Sequence, residues 1–238
     1  MAKKSTIPAG GISKRKSLEE WLDKLQLEKA TVFARAIASR AALRVLQLAL
    51  KRRGPIGLNL AIDMGWRFAC IRANCISQIG LKNPSLIAEH DFVNAVNLSA
   101  NAAQIAAQKL SVLGILNSPS SDVEVMAFTN SAGYAARTFL TKSNEIEISL
   151  HSIKFSASAV LIHSTILTPH LNDFWAAVTA DARALEAGAT PEEMATRPLW
   201  PEDSPYKPRF DRKTFLAAAP SFEVWLDWYE PIVDGKAP

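Results

Sequence analysis

Ser221 to Asp234 reads SFEVWLDWYEPIVD. Its four acids, Glu223, Asp227, Glu230 and Asp234, are spaced four, three and four apart, and at ~3.6 residues per turn that spacing aligns them in one stripe of a helix. Phe222, Trp225, Trp228 and Tyr229 take the rest of the circumference. A helix built this way must bury its bulky side and turn its acidic ridge to water or to a cationic partner.

Working back from this helix, six of the 13 prolines fall between Pro191 and Pro220. Residues 190–220, with Arg197-Pro198-Leu199-Trp200-Pro201 at their centre, therefore read as an extended strap laid over the preceding helices. The strap opens on Thr190-Pro191-Glu192-Glu193, a capping box with proline at the first helical position. Upstream, apolar residues recur at helical spacing in His170–Ala187 (closed by Gly188), Glu145–Leu167 and Asp122–Leu140. Pro84–Leu116 reads as a long Ala/Asn/Gln-rich helix opened by its proline and broken near Asn97, with alanines small enough for close helix contacts. Leu58–Ile79 carries Asp63 and Arg67 as an i,i+4 pair. Lys29–Arg53 is the next helix back, ended by Gly54-Pro55. Before it, Ser17-Leu18-Glu19-Glu20 has the capping-box pattern of a helix start.

Only Glu145–Leu150 alternates with a period of two, and it is too short and isolated to build a sheet. The expected fold is all-α: a single irregular multi-helix bundle with a Pro-rich strap and an aromatic closing helix. Its expected organisation is a flexible basic tail (1–16) and one helical domain (17–238), divided into a bundle (17–189), the strap (190–220) and the closing helix (221–235).

Charge is unevenly placed along the chain. Residues 1–53 hold 13 Lys/Arg against 4 Asp/Glu, residues 54–169 hold 7 against 7, and residues 170–238 hold 7 against 12. Within the basic part, Arg40, Arg44, Gln47 and Lys51 again step by four, three and four, a ridge with the same geometry as the acidic one. Such a chain either meets an external polyanion or joins its own two ends inside one fold. The second reading groups Arg40, Arg44, Lys51, Asp181, Glu223 and Asp227 as one charge-complementary cluster. Asp181 belongs to it because Phe174, Val178 and Leu185 place it in an apolar stripe, where a carboxylate either pairs with a cation or has a raised pKa. The expected partner of Arg40 or Arg44 is Asp181 or the Glu223/Asp227 ridge.

Trp175, Trp200, Trp225, Trp228 and Tyr229 read as aromatic anchors that staple strap and closing helix to the bundle. Catalytic signatures are missing: there is no P-loop, G-x-G-x-x-G, G-x-S-x-G, H-E-x-x-H or EF-hand pattern. His90, His151, His163 and His170 form no i,i+4 pair, and Cys70 and Cys75 fit neither a CxxC nor a zinc clip. The expectation is therefore no metal and no cofactor. No apolar run reaches the ~18–20 residues that span a bilayer, and no secretory leader pattern opens the chain, so the expected setting is the cytoplasm without membrane contact.

Leu18-Glu19-Glu20-Trp21-Leu22, Ala38-Ser39-Arg40-Ala41-Ala42-Leu43-Arg44-Val45-Leu46 and Trp225-Leu226-Asp227-Trp228-Tyr229 before Gly235 carry a resemblance at both ends of the chain. With Trp175, Asp181 and Pro198-Leu199-Trp200 between them, they resemble an uncharacterised family of alanine-rich bacterial helical proteins whose members stand alone or precede other domains. The resemblance implies no activity and no catalytic residues. By analogy with members that precede effector-like domains, it implies a sensing or scaffold role in bacterial effector or defence systems.

The function expected from these features is a non-catalytic protein-interaction or regulatory module, partnered or homo-oligomeric through an apolar helix face. Two other readings stand beside it. One is a nucleic-acid binder using Arg40, Arg44, Lys51, Arg52, Arg53 and the basic tail. The other is a helical hydrolase or small-ligand enzyme using Asp181 with a histidine such as His170.

Overall fold

In the computed structural model the described residues are 9–51, 60–113, 119–140, 145–163, 170–201, 212–218 and 220–236. They form helices α1 (Arg15–Leu22), α2 (Leu27–Lys51), α3 (Leu60–Lys82), α4 (His90–Leu113), α5 (Pro119–Arg137), α6 (Glu145–His163), α7 (His170–Glu186), α8 (Pro191–Ala195), α9 (Arg212–Ala218) and α10 (Glu223–Val233). Among these residues there is no strand. The fold is an irregular all-α bundle closed by a strap and an aromatic helix, and no described helix is long and apolar enough to cross a membrane.

Helix α2 is the axis of the bundle. Every residue from Ala36 to Leu50 is buried, and α2 packs against α3, α5, α6, α7 and α8. A helix enclosed on all sides needs small residues for close approach, and Ala36, Ala38, Ala41, Ala42 and Ala49 supply them. α2 ends at Lys51, where Arg67 of α3 donates from Nη1 to the carbonyls of Ala49 and Leu50. There the buried guanidinium spends donors on main-chain carbonyls of the neighbouring helix. The side chain of Asp63, its expected helical partner, lies outside the described residues.

Around this axis α4 packs on α3 and α5, and α5 on α6. Gly133 of α5 sits over Ala100 and Ala103 of α4, two of the alanines expected at such a contact. Trp21 stacks on Phe33 at 5.8 Å between ring centres, and Trp66 on Phe128 at 6.1 Å.

Two glycines of α3 differ sharply in surroundings. A Cβ at Gly80 would lie 2.7 Å from the Phe139 ring and 2.8 Å from Phe92, whereas one at Gly65 meets nothing within 4 Å. Gly80→Ala is expected to destabilise by about 1–3 kcal/mol through overpacking. Gly65→Ala should stabilise by up to about 1 kcal/mol through helix propensity. Urea unfolding midpoints of the two variants check the opposite signs.

Several local expectations are corrected. The packed chain extends upstream of Ser17 into the expected tail: Ala9 and Ile12 are buried, the 3-10 turn Ala9–Gly11 packs on α7, and Thr179 Oγ1 donates to the Ile12 carbonyl. Residues 1–8 of the expected tail lie outside the described residues. Ser17 is inside α1 rather than at its cap, and its Oγ accepts from the backbone N–H groups of Ser13 (3.0 Å) and Lys14 (3.2 Å). Pro84 opens a 3-10 turn, Pro84–Ala88, and α4 starts only at His90 but then runs through Asn97 without a break. Glu145–Leu150 lies within α6, as its helical reading expected despite the alternation. Within the expected strap, 190–220, Pro191–Ala195 and Arg212–Ala218 are helical rather than extended; residues 202–211 lie outside the described set.

Two predicted helix ends hold in detail. Thr190 and Glu193 form the reciprocal capping box at α8 (3.2 and 2.9 Å). Gly188, at φ 104°, ends α7 with paired bonds from its own N–H to Leu185 and from Ala189 to Ala184.

Candidate functional site

The most unusual chemistry sits where α2 meets α7 and the strap. Arg40 and Arg44, one turn apart on α2, are 2% and 1% exposed, and Asp181 of α7 is 3% exposed. Arg40 Nε donates to Asp181 Oδ1 at 2.9 Å, and Arg44 Nη1 lies 2.7 Å from Asp181 Oδ2. That second approach is an ion pair too oblique for a hydrogen bond, and neither atom has another hydrogen-bond partner.

The rest of each guanidinium is spent on backbone. Arg40 Nη1 donates to the carbonyls of Met194 (2.6 Å) and Arg197 (3.0 Å), and Nη2 to Pro198 (2.5 Å). Arg44 Nε donates to Leu199 at 2.6 Å. Gln78 of α3 takes the Ala195 carbonyl at 2.6 Å. From Met194 to Leu199 every carbonyl but that of Thr196 thus accepts from a buried side chain of α2 or α3. A strap carrying Pro198 and Pro201 cannot form a regular ladder, and its buried acceptors would otherwise be orphaned.

Burial lowers the pKa of Arg40 to about 10; Asp181 opposes that shift and Arg44 adds to it. Arg40 therefore remains a cation throughout the physiological range. Burial likewise pushes the Cys70 thiol up to about 12 and Cys75 up to about 11, which disfavours the thiolate of each.

The aromatic anchors close the same region. Trp200 Nε1 donates to Gln47 Oε1 at 2.8 Å, which engages a third member of the α2 ridge. Tyr229 of α10 is buried and its hydroxyl donates to the Leu43 carbonyl at 2.9 Å. Trp225 meets Phe68 edge-on at 5.3 Å, Trp228 packs half-buried against the core, and Trp175 is buried beside Phe174. The Leu199 N–H donates to the Val233 carbonyl at 3.2 Å, tying strap to closing helix.

The acidic ridge does not join the cluster. Arg212 of α9 takes Asp227 and Glu230 at 2.6 Å each and approaches Glu223 at 3.7 Å. Glu223 and Asp227 therefore belong to an exposed local network, and Lys51's side chain lies outside the described residues. Of the six residues grouped by charge, the structure brings together Arg40, Arg44 and Asp181.

This geometry also bears on the rival readings. Arg40 and Arg44 are enclosed and cannot reach phosphates from where they stand. Arg52, Arg53 and residues 1–8 lie outside the described residues. Along α7, His170 and Asp181 are eleven residues apart, a rise of about 16 Å, and the side chain of His170 lies outside the described residues. Among the described residues no group of three His, Cys, Asp or Glu could hold a metal ion.

A recess of about 310 Å³ opens beside the cluster, lined by Arg40, Arg44 and Asp181, by Ala177 and Ala180 of α7, and by strap residues 197–201. The sequence singled out Arg40, Arg44, Asp181 and Trp200 but not the recess between them, which only packing creates. Compared with protein-family models, curated proteins and solved structures, the chain matches none.

Proposed function

We propose that this protein is a non-catalytic interaction module that docks another protein chain, its own copy or a partner, through the outer face of α4. The observation that carries this reading is a long exposed helix face whose own residues carry no charge; Arg137 of α5 reaches its edge and donates to Asn101 and Gln104. From Phe92 to Gln108 there is no Asp, Glu, Lys or Arg. Asn94, Asn97, Leu98, Asn101, Ile105 and Gln108 are exposed along one side, with Leu98 at 61% and Ile105 at 49%. Solvated helix faces ordinarily carry charges, and depletion of charge around apolar side chains is a property of interface centres. The opposite face, with Phe92, Val96, Ala100 and Ala103, is buried and holds α4 on the bundle.

The Arg40–Asp181–Arg44 cluster supports the non-catalytic part of the reading, because its polar atoms are mostly consumed in holding the strap. Leu98→Asp combined with Ile105→Asp is expected to leave the circular dichroism spectrum and melting temperature nearly unchanged while abolishing association. Sedimentation velocity over a concentration series reads self-association, and co-purification with and without the two substitutions reads a hetero-partner. A monomeric wild-type protein that retains no chain in a manner dependent on these two residues rejects the proposal.

A further inference from the structure

On the reading that α4 docks another chain, we infer that the occupant is a second copy of this protein. Its α4 lies antiparallel to the first, with Leu98 over Ala102 of the copy and Ile105 over Ala95 of the copy.

Asp91, Ala95, Leu98, Ala102, Ile105 and Lys109 step by four, three, four, three and four, which places all six positions in one stripe of α4. Asp91, Leu98 and Ile105 are exposed, and Ala95 and Ala102 are half-buried. Small and large residues alternate along the stripe, between an acid at its start and a base at its end. Turned end for end, such a stripe is complementary to itself. Each large aliphatic side chain then meets an alanine, and position 91, an aspartate, faces position 109, a lysine, at both ends of the pair. A large side chain seated over a small one lets two helices close to packing distance.

A two-fold axis requires that where one residue touches a second, the second touches the first across the axis. The antiparallel stripe meets that condition at every position. A parallel pair would instead set Leu98 on Leu98, alanine on alanine, and like charges together at both ends. A partner bringing charge to the centre would bury it against Phe92–Gln108, a run that holds no counter-charge. The exposed amides of Asn94, Asn97 and Asn101 both donate and accept, so a copy presents them with no unpaired charge. Arg137 of α5 stays at the rim: it donates to Asn101 and Gln104, and Gln104 stands ~120° round the helix from Leu98.

Sedimentation equilibrium of the full chain is expected to show monomer and dimer. Asp91→Lys should weaken the dimer by about tenfold, because two end pairs per dimer become like-charged. Asp91→Lys with Lys109→Asp in the same chain should restore it, with circular dichroism confirming that both variants are folded. Mild oxidation of Leu98→Cys chains mixed with Ala102→Cys chains should join position 98 of one chain to position 102 of the other, in preference to 98 with 98 or 102 with 102, as peptide mass reads. A dominant 98-to-98 link, no 98-to-102 link, or a folded charge-swapped chain that stays weak overturns the inference. A monomeric wild type that retains a different chain through Leu98 and Ile105 overturns it too, yet leaves the docking reading standing. A monomer that retains no chain removes both.

Discussion

Replacing Asp181 with asparagine is expected to destabilise the protein by about 3–5 kcal/mol, the range for breaking a buried ion pair by removing one partner. Asparagine keeps the size and one acceptor, so Arg40 can retain a hydrogen bond. What disappears is the negative charge that, among the described residues, lies against two enclosed guanidiniums. For a chain of this length, roughly 2–4 °C of melting temperature accompanies each kcal/mol, so a drop of roughly 6–20 °C is expected. Thermal melts followed by circular dichroism measure it, and a variant melting within about a degree of wild type would falsify the structural role of the cluster.

A triple replacement of Arg40, Arg44 and Asp181 by apolar residues sharpens the same point. Buried ion pairs can often be exchanged for well-packed hydrocarbon at little cost. Here that exchange should fail, because the carbonyls of Met194, Arg197, Pro198 and Leu199 lose their donors. Met194 and Leu199 are buried, and each buried acceptor left without a partner costs about 1–3 kcal/mol, whereas at the exposed Arg197 and Pro198 water can take part of the loss. The triple variant is therefore expected to be no more stable than Asp181→Asn. Recovery of wild-type stability would show that the arginines do not hold the strap.

The second large effect is expected at Gly235. It adopts φ 73° at the end of α10, where its N–H bonds to Ile232 and the next N–H, of Lys236, bonds to Pro231. A Cβ there would lie 2.4 Å from both the ring Cδ and the backbone nitrogen of Pro198. The left-handed conformation alone costs a non-glycine residue about 1–2 kcal/mol. Overpacking against a strap that cannot yield adds about 1–3 kcal/mol. Gly235→Ala should therefore lower stability by about 2–5 kcal/mol and loosen α10 from the strap. Gly188→Ala, with φ 104° but nothing within 4 Å of its Cβ, should show the conformational cost alone. Chemical denaturation of the pair separates strain from contact, and equal losses would remove the contact from the explanation. Faster hydrogen exchange at the Leu199 amide, which bonds to Val233 of α10, would report the loosening directly.

Much of the fold was legible in the sequence, and the reason is local. The α8 capping box and the glycine that ends α7 are decided within a few residues, because capping chemistry acts over one turn. Asp181 stood out as a carboxylate in an apolar stripe, and Phe174, Val178 and Leu185 are indeed buried with it. The same locality explains the errors. Ser17-x-x-Glu20 has the right letters for a cap, but burial of Ala9 and Ile12 against α7 orders the chain earlier and moves the helix start ahead of it. Arg212 was overlooked as the partner of the acidic ridge because the prolines around it suggested extended chain, while residues 212–218 form α9.

The sequence on its own determined which faces had to be covered: hydrophobic periodicity, caps and breakers set the helices, and the cationic ridge of α2 announced that something would have to answer it. Tertiary packing alone decided what answers. Four carbonyls of the strap accept from Arg40 and Arg44, and a carbonyl is the same group in every residue, so no side chain could signal that match in advance. Asp181 prevailed over the acidic helix for a related reason. Once α2 is enclosed, a buried guanidinium requires a charge at contact distance, and an exposed ridge already screened by water and by Arg212 cannot supply it.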